Sequence, residues 1–280
     1  MSSITTEQVI AGIKDLPAMP AVVSEILGSV GRDTLRAEEL ASKLSRDQGL
    51  MAKVLRLANS PFYGVPRQVV SAQEAVAILG LRSIRSIVAA SAVVGAIKQP
   101  ADSALDFRSF WRHSLATALC AEFIAGEIGQ SRELAFVSGL LHDVGRMALA
   151  LASPPAFALA QAYRDEHDCC LYDAERLALG IDHARIGGCL AEHWMFPPDI
   201  VRAVAAHHSP DVNGGANLAA ILCVSDNLVH ALDLVSDPRE IVAPMDWMAW
   251  YVLDLKEEQC MQLFERLPVQ LNEICASLLT

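Results

Sequence analysis

Along the 280-residue chain, apolar positions recur at the three- and four-residue spacing of helices. Alternating β-branched runs bounded by hairpin turns are essentially missing, so the pattern predicts an all-α protein. Val22, Val23, Ile26, Leu27 and Val30 keep helical spacing after the break at Leu16-Pro17-Ala18-Met19-Pro20. Helices are expected over Ala37–Ser45 and Leu50–Ala58, followed by a turn at Asn59-Ser60-Pro61-Phe62-Tyr63-Gly64. Ser71, with Glu74 three residues later, reads as a capping box for a helix that stops at Gly80. Another helix covers Ser83–Ile97.

Lys98–Ser103 is polar and contains Pro100, which makes it the best boundary. Two packed helical subdomains are expected, residues 1–102 and 103–280. The second opens with a helix over Phe107–Ile128. A further one runs from Ser131 through His142-Asp143 to Leu151, where Ser153-Pro154-Pro155 interrupts. Helices follow over Pro155–Glu166, Asp173–Leu179 and Asp182–Trp194, the last capped by Asp182. Phe196-Pro197-Pro198 opens one that closes at His207-His208-Ser209-Pro210. Asn217–Leu234 is long and apolar, and two shorter helices follow Asp246.

Hydrophobic residues at 52% supply a sizeable core, and charged residues at 20% argue against disorder. The formal net charge of −11 repels phosphate backbones, so general nucleic-acid binding is not expected. Arg82, Arg85, Arg108 and Arg112 cluster in sequence and read as a solvated helix face. The seven cysteines are scattered without a C-x-x-C pair, the pattern of a reducing compartment. No basic segment followed by an apolar one opens the chain. The apolar stretch Ser86–Ile97 is shorter than the roughly 20 residues that span a bilayer. A cytoplasmic protein with no membrane partner is the expectation.

Six of the eight histidines and two aspartates stand out by context. Asp226 is flanked by Ala219–Val224 and by Leu228 and Val229. A carboxylate there needs a cation or strong donors if it is buried, and is otherwise exposed or bonded to helix termini. His142-Asp143 sits among Leu140, Leu141, Val144 and Met147. Neighbours on a helix point about 100° apart, so both reach one site only if it lies between them. Singly, each of these residues has an ordinary structural reading. Together, His113, His142-Asp143, His183, His207-His208 and Asp226 point to a metal site inside a helical bundle. His230, one turn beyond Asp226, either orients it or is a satisfied helix histidine, and the second reading is preferred. His167 and His193 read as surface or packing residues, and Gly187-Gly188 as close helix packing. H-E-x-x-H, G-x-S-x-G, Walker and Rossmann motifs are absent. Phe62 and Tyr63 in the 59–67 turn serve either to plug the second subdomain's core or to anchor a partner.

The chain resembles the HDOD family through an ordered set of motifs. In the first half these are Leu16-Pro17-Ala18-Met19-Pro20, Ser45-Arg46-Asp47-Gln48-Gly49-Leu50, Leu57–Gly64, Ser71-Ala72-Gln73-Glu74-Ala75-Val76 and Leu79-Gly80. In the second they are Phe110–Ser114, Gly139–Arg146, Gly180–Ala184 and Ala206–Pro210. That family is similar to the HD phosphohydrolases and HD-GYP phosphodiesterases, of which it looks like a degenerate relative. The resemblance implies an HD-like bundle in the C-terminal subdomain, with His113, His142, Asp143 and Asp226 in the HD ligand order. His183, His207 and His208 match the additional histidines of the two-metal pattern, with Asp143 bridging the ions. The implied cofactor is divalent iron, manganese or zinc, as one ion, two or none. Arg146 stands where the enzymes carry lysine and is the candidate phosphate contact. The glutamate and the Gly-Tyr-Pro segment expected after His207-His208 are missing. The resemblance therefore implies a non-catalytic signal-transduction module that acts through a signalling protein partner. The alternative is a metal-dependent phosphohydrolase acting on a nucleotide or cyclic dinucleotide.

Overall fold

A computed structural model describes residues 10–12, 24–25, 28, 36–96, 103–235 and 241–279. From Ala37 onward thirteen α-helices follow one another, and no strand occurs among the described residues. They are α1 (Ala37–Leu44), α2 (Gln48–Ala58), α3 (Ala72–Ala96), α4 (Phe107–Glu127), α5 (Arg132–Leu141), α6 (Val144–Ala152) and α7 (Pro154–His167). Then come α8 (Leu171–Leu179), α9 (His183–His193), α10 (Pro198–Ala206), α11 (Leu218–Ala231), α12 (Trp247–Leu253) and α13 (Glu257–Leu278). The expected boundary at residue 102 and the Leu16–Pro20 break lie outside the described residues, as does most of the Val22–Val30 helix.

Side-chain caps account for several helix starts. Asp47, Asp106, Ser131, Asp182, Asn217 and Asp246 each accept a backbone N–H from the first turn of the helix that follows. Ser71 accepts from the Glu74 N–H at 3.1 Å, and the Glu74 carboxylate reaches back to the Val70 N–H at 3.0 Å. The helix does not end at Gly80. Gly80 adopts φ +81°, ψ 159°, and helix resumes at once, so α3 is kinked rather than terminated. Positive φ costs glycine no Cβ strain.

The turn after α2 is closed by Asn59. Its Nδ2 donates to the carbonyls of Leu55 and Val69, and its Oδ1 accepts from the Val69 N–H. Tyr63 is half-buried against the core. The side chain of Phe62 lies outside the described residues.

α4 is buried along most of its length, with α5 and α11 against it and α13 crossing it. α9 packs on α6 and α10. One continuous set of buried apolar side chains joins α1–α3 to α4–α13. α3 and α5 are also joined by Arg85 and Glu133, which are 1% and 3% exposed. Arg85 is thus no part of a solvated face. Its guanidinium makes a two-point pair with Glu133, with Nη2 2.9 Å from Oε2. Arg112 is likewise engaged, donating to the Leu234 carbonyl and to Asn272.

Ala72–Gly95 and Arg132–Ala152 are long and apolar enough to cross a membrane by length and composition. Reading Ser86–Ile97 alone understated the first, because the kinked helix begins earlier. Both segments are mostly buried inside the protein.

Glu122 of α4 lines a groove of about 690 Å³ together with Arg82 and Arg132. Burial pushes its carboxyl up to about 7, partly offset by Arg132. Since the folded value is raised, its contribution to stability is complete below the ordinary value near 4.5. That contribution is lost as pH rises through about 7. Glu122→Gln should therefore stabilise the fold by about 1–3 kcal/mol at pH near 8. The gain should vanish towards pH near 5. Urea unfolding of both proteins across that range measures it.

Candidate metal centre

The expected long helix over Ser131–Leu151 is broken at His142-Asp143 into α5 and α6. Asp143 has φ −96°, ψ 6°, outside the helical region. The break answers the geometric problem of two adjacent ligand-type side chains. On a continuous helix they diverge, whereas here His142 Nε2 comes within 3.6 Å of Asp143 Oδ1.

Every residue singled out as a ligand candidate arrives at this break. His113 comes from α4, His183 from the first position of α9, His207 and His208 from the end of α10, and Asp226 from α11. All are buried except the partly buried His208. Asp143 Oδ1 lies 3.1 Å from His183 Nε2 and 3.8 Å from His207 Nε2. Asp226 Oδ1 lies 3.0 Å from His113 Nε2 and 3.4 Å from His142 Nε2. His113 Nε2 and His142 Nε2 are 3.1 Å apart, and His183 Nε2 and His208 Nε2 are 2.8 Å apart.

The outer ring nitrogens set the tautomers. His142 Nδ1 is 2.7 Å from the Gly139 carbonyl and His207 Nδ1 is 2.8 Å from that of Val204. A carbonyl only accepts, so both Nδ1 atoms carry a proton, and Nε2 is the ring atom that each turns to the cluster. His183 Nδ1 donates to Glu175 Oε2 at 2.6 Å, and the His183 backbone N–H donates to the same oxygen. Outer partners of this kind hold metal-binding imidazoles. Glu175 escaped the sequence reading. Its signal was a carboxylate on the same face of α8 as Leu171, Ala174 and Leu179.

The donor set fits a divalent ion. Nε2 of His207 is buried with no hydrogen-bond partner, an orphan acceptor aimed at the carboxylates. Two imidazole nitrogens about 3 Å apart repel when both present lone pairs. A cation held by these donors would remove both problems. Asp143, His183, His207 and His208 form one group able to hold an ion, and His113, His142 and Asp143 form another. His113, Asp226 and His230 form a third.

Within the cluster, neighbouring side chains offset one another's charges. Burial opposes ionisation of Asp143, but His142, Arg146 and His183 hold it well below the usual carboxylate range. Asp226 is also held low against burial, by His230, His113 and His142. Burial alone would lower His183, yet Glu175 and Asp143 raise it to about 10. Burial, with His142 and His183 nearby, lowers His207 to about 4. Arg146 Nη1 donates to Asp143 Oδ2 at 2.8 Å, and Arg146 lines both small cavities beside the cluster. His193 is exposed, and exposed His167 stacks on Tyr163.

Gly145 and Gly187 bring α6 and α9 into backbone contact. A Cβ on Gly145 would stand 1.9 Å from the His183 carbonyl oxygen and 2.6 Å from the Gly187 nitrogen. This close crossing sets His183 opposite Asp143.

An all-helical fold around a His/Asp cluster of this order defines an HD-type protein. The chain belongs to the HDOD domain family, whose model matches residues 16–210. A crystal structure of a candidate phosphohydrolase from Shewanella amazonensis is similar, with a TM-score of 0.77 and 28% identity. The likeness covers 97% of this chain and 98% of that one. An uncharacterized protein of Treponema pallidum (strain Nichols) is 24% identical over 199 residues, 70% of this chain and 38% of the relative. A ribonuclease Y of Thermus thermophilus is 30% identical over 132 residues, 45% of this chain and 18% of the enzyme. The chain thus spans well under half the length of these two curated relatives.

Proposed function

We propose that the chain is a signal-transduction module that binds a divalent metal at the His/Asp cluster and acts by partner binding rather than by turnover. The observation that carries this reading is how little room lies beside the cluster. Among the described residues, two cavities there measure about 50 and 40 Å³. They are of a size for water or a single small anion, against roughly 300–1,000 Å³ for pockets that take up a nucleotide-sized ligand. Arg146, standing where the enzymes carry lysine, is engaged with Asp143. The missing Gly-Tyr-Pro segment agrees with this. On this reading the module is cytoplasmic, the partner is a signalling protein, and Phe62 and Tyr63 are candidate anchors.

The second reading is a metal-dependent phosphohydrolase. It is favoured by the complete set of His113, His142, Asp143, His183, His207, His208 and Asp226, and by the likeness to the Shewanella protein and ribonuclease Y. A bound pair of divalent ions would supply charge for a phosphate and a hydroxide for hydrolysis. Arg146 would then contact the phosphate.

One experiment separates the readings. Protein purified with iron, manganese and zinc supplied is analysed for metal, then assayed with cyclic di-GMP. Bound metal without turnover is expected. Asp143→Ala should weaken metal binding by at least about 100-fold, because a ligand and its charge are both removed. Turnover that vanishes in Asp143→Ala would establish the phosphohydrolase. A metal-free wild type would end the metal-binding reading.

A further inference from the structure

His230 lies outside the ligand order that the family resemblance implies, yet it points into the cluster. Its Nε2 is 3.2 Å from Asp226 Oδ1, the oxygen that His113 Nε2 approaches at 3.0 Å. The His113 and His230 rings are stacked, with centroids 4.5 Å apart and planes 30° from parallel. Two imidazole edges thus converge on one carboxylate oxygen from the same side.

We propose that His230 is a metal ligand, and that with His113 and Asp226 it holds an ion separate from the one held by Asp143, His183, His207 and His208. This rests on the metal-binding reading above.

Three observations support it. The donor atoms of the two groups gather about different carboxylates, Asp226 and Asp143, on different elements, with His142 Nε2 between them at 3.4 and 3.6 Å. The first group is two imidazoles and a carboxylate, a set that suits iron, manganese or zinc and leaves positions open on the ion. The distances also agree, since Asp226 Oδ1 lies within 3.2 Å of both His113 Nε2 and His230 Nε2, so one ion can meet all three donors. In a wholly structural role, His230 would only donate a proton to Asp226, and its loss would leave the number of bound ions unchanged.

The full chain loaded with manganese(II) and desalted provides the test, by metal-to-protein ratio and by electron paramagnetic resonance. Wild type should retain about two ions per chain with the exchange-coupled spectrum of neighbouring manganese(II) at roughly 3.5–4 Å. His230→Ala should lose one of the pair and give the spectrum of isolated manganese(II), with its helical circular dichroism unchanged. His230→Glu, which restores a ligand oxygen, should recover the second ion. His193→Ala, at an exposed position, should match wild type. A His230→Ala protein that keeps both ions at wild-type affinity overturns the assignment and leaves the metal-binding reading standing. A wild type that binds one ion overturns the second site alone. A wild type that binds none overturns both.

Discussion

Arg85→Met should cost about 3–5 kcal/mol, the range for removing one partner of a buried ion pair. Arg85 and Glu133 are almost wholly enclosed, and they join α3 to α5 across 48 residues of sequence. Removing the guanidinium takes its two-point cation from the Glu133 carboxylate, which is 3% exposed. Either it stays charged at high cost or it takes up a proton. The double change Arg85→Met with Glu133→Leu should recover most of the loss, because apolar replacements of similar volume remove the charge as well as the pair. Urea denaturation of the single and double variants measures the effect. A single variant within about 1 kcal/mol of wild type would show that solvent reaches the pair.

Gly145→Ala should be similarly damaging, and it should reach the cluster without altering any ligand. The added methyl would stand 1.9 Å from the His183 carbonyl oxygen, and backbone cannot turn aside as a side chain does. α6 and α9 must separate. Overpacking costs typically 1–3 kcal/mol, and a backbone-to-backbone clash belongs at or above about 3 kcal/mol. That corresponds to a fall in the thermal midpoint of roughly 6–10 °C. Because α9 begins with His183, metal affinity should fall along with stability. Gly49→Ala gives the comparison. It lies on α2, which carries no cluster residue, and there a Cβ would meet only Asp47 Oδ1, at 3.5 Å. Equal losses in both variants would refute a specific role for the α6–α9 crossing.

The helical class and several helix starts were legible in sequence because they rest on local rules. Ser71 with Glu74, and Asp182 ahead of His183, cap where their positions say they should. The ligand candidates were legible for the opposite reason. Polar groups such as Asp226 and His142 stand in apolar surroundings, and burial demands partners for them. Two features were hidden. The break between α5 and α6 has apolar residues at helical spacing on both sides, Leu140 and Leu141 before it and Val144 and Met147 after it. The role of Glu175 depends on which neighbouring helix faces it, whereas the His230–Asp226 contact lies within one helix and was among the readings weighed. Arg85 misled because a run of arginines looks solvated until Glu133, far away in sequence, is brought to it.

The break at His142-Asp143 also has a dynamic meaning. A rod from 132 to 152 would exchange its amide hydrogens as one cooperative unit. With the ladder interrupted, α5 packs on α4 while α6 packs on α9, and the two are expected to open as separate pieces. The cluster lies on the seam between them. Whatever draws His142 and Asp143 together couples their opening, so occupancy at the seam would be felt as slower exchange along both helices. A buried centre would in this way report its state through the stiffness of surfaces far from it.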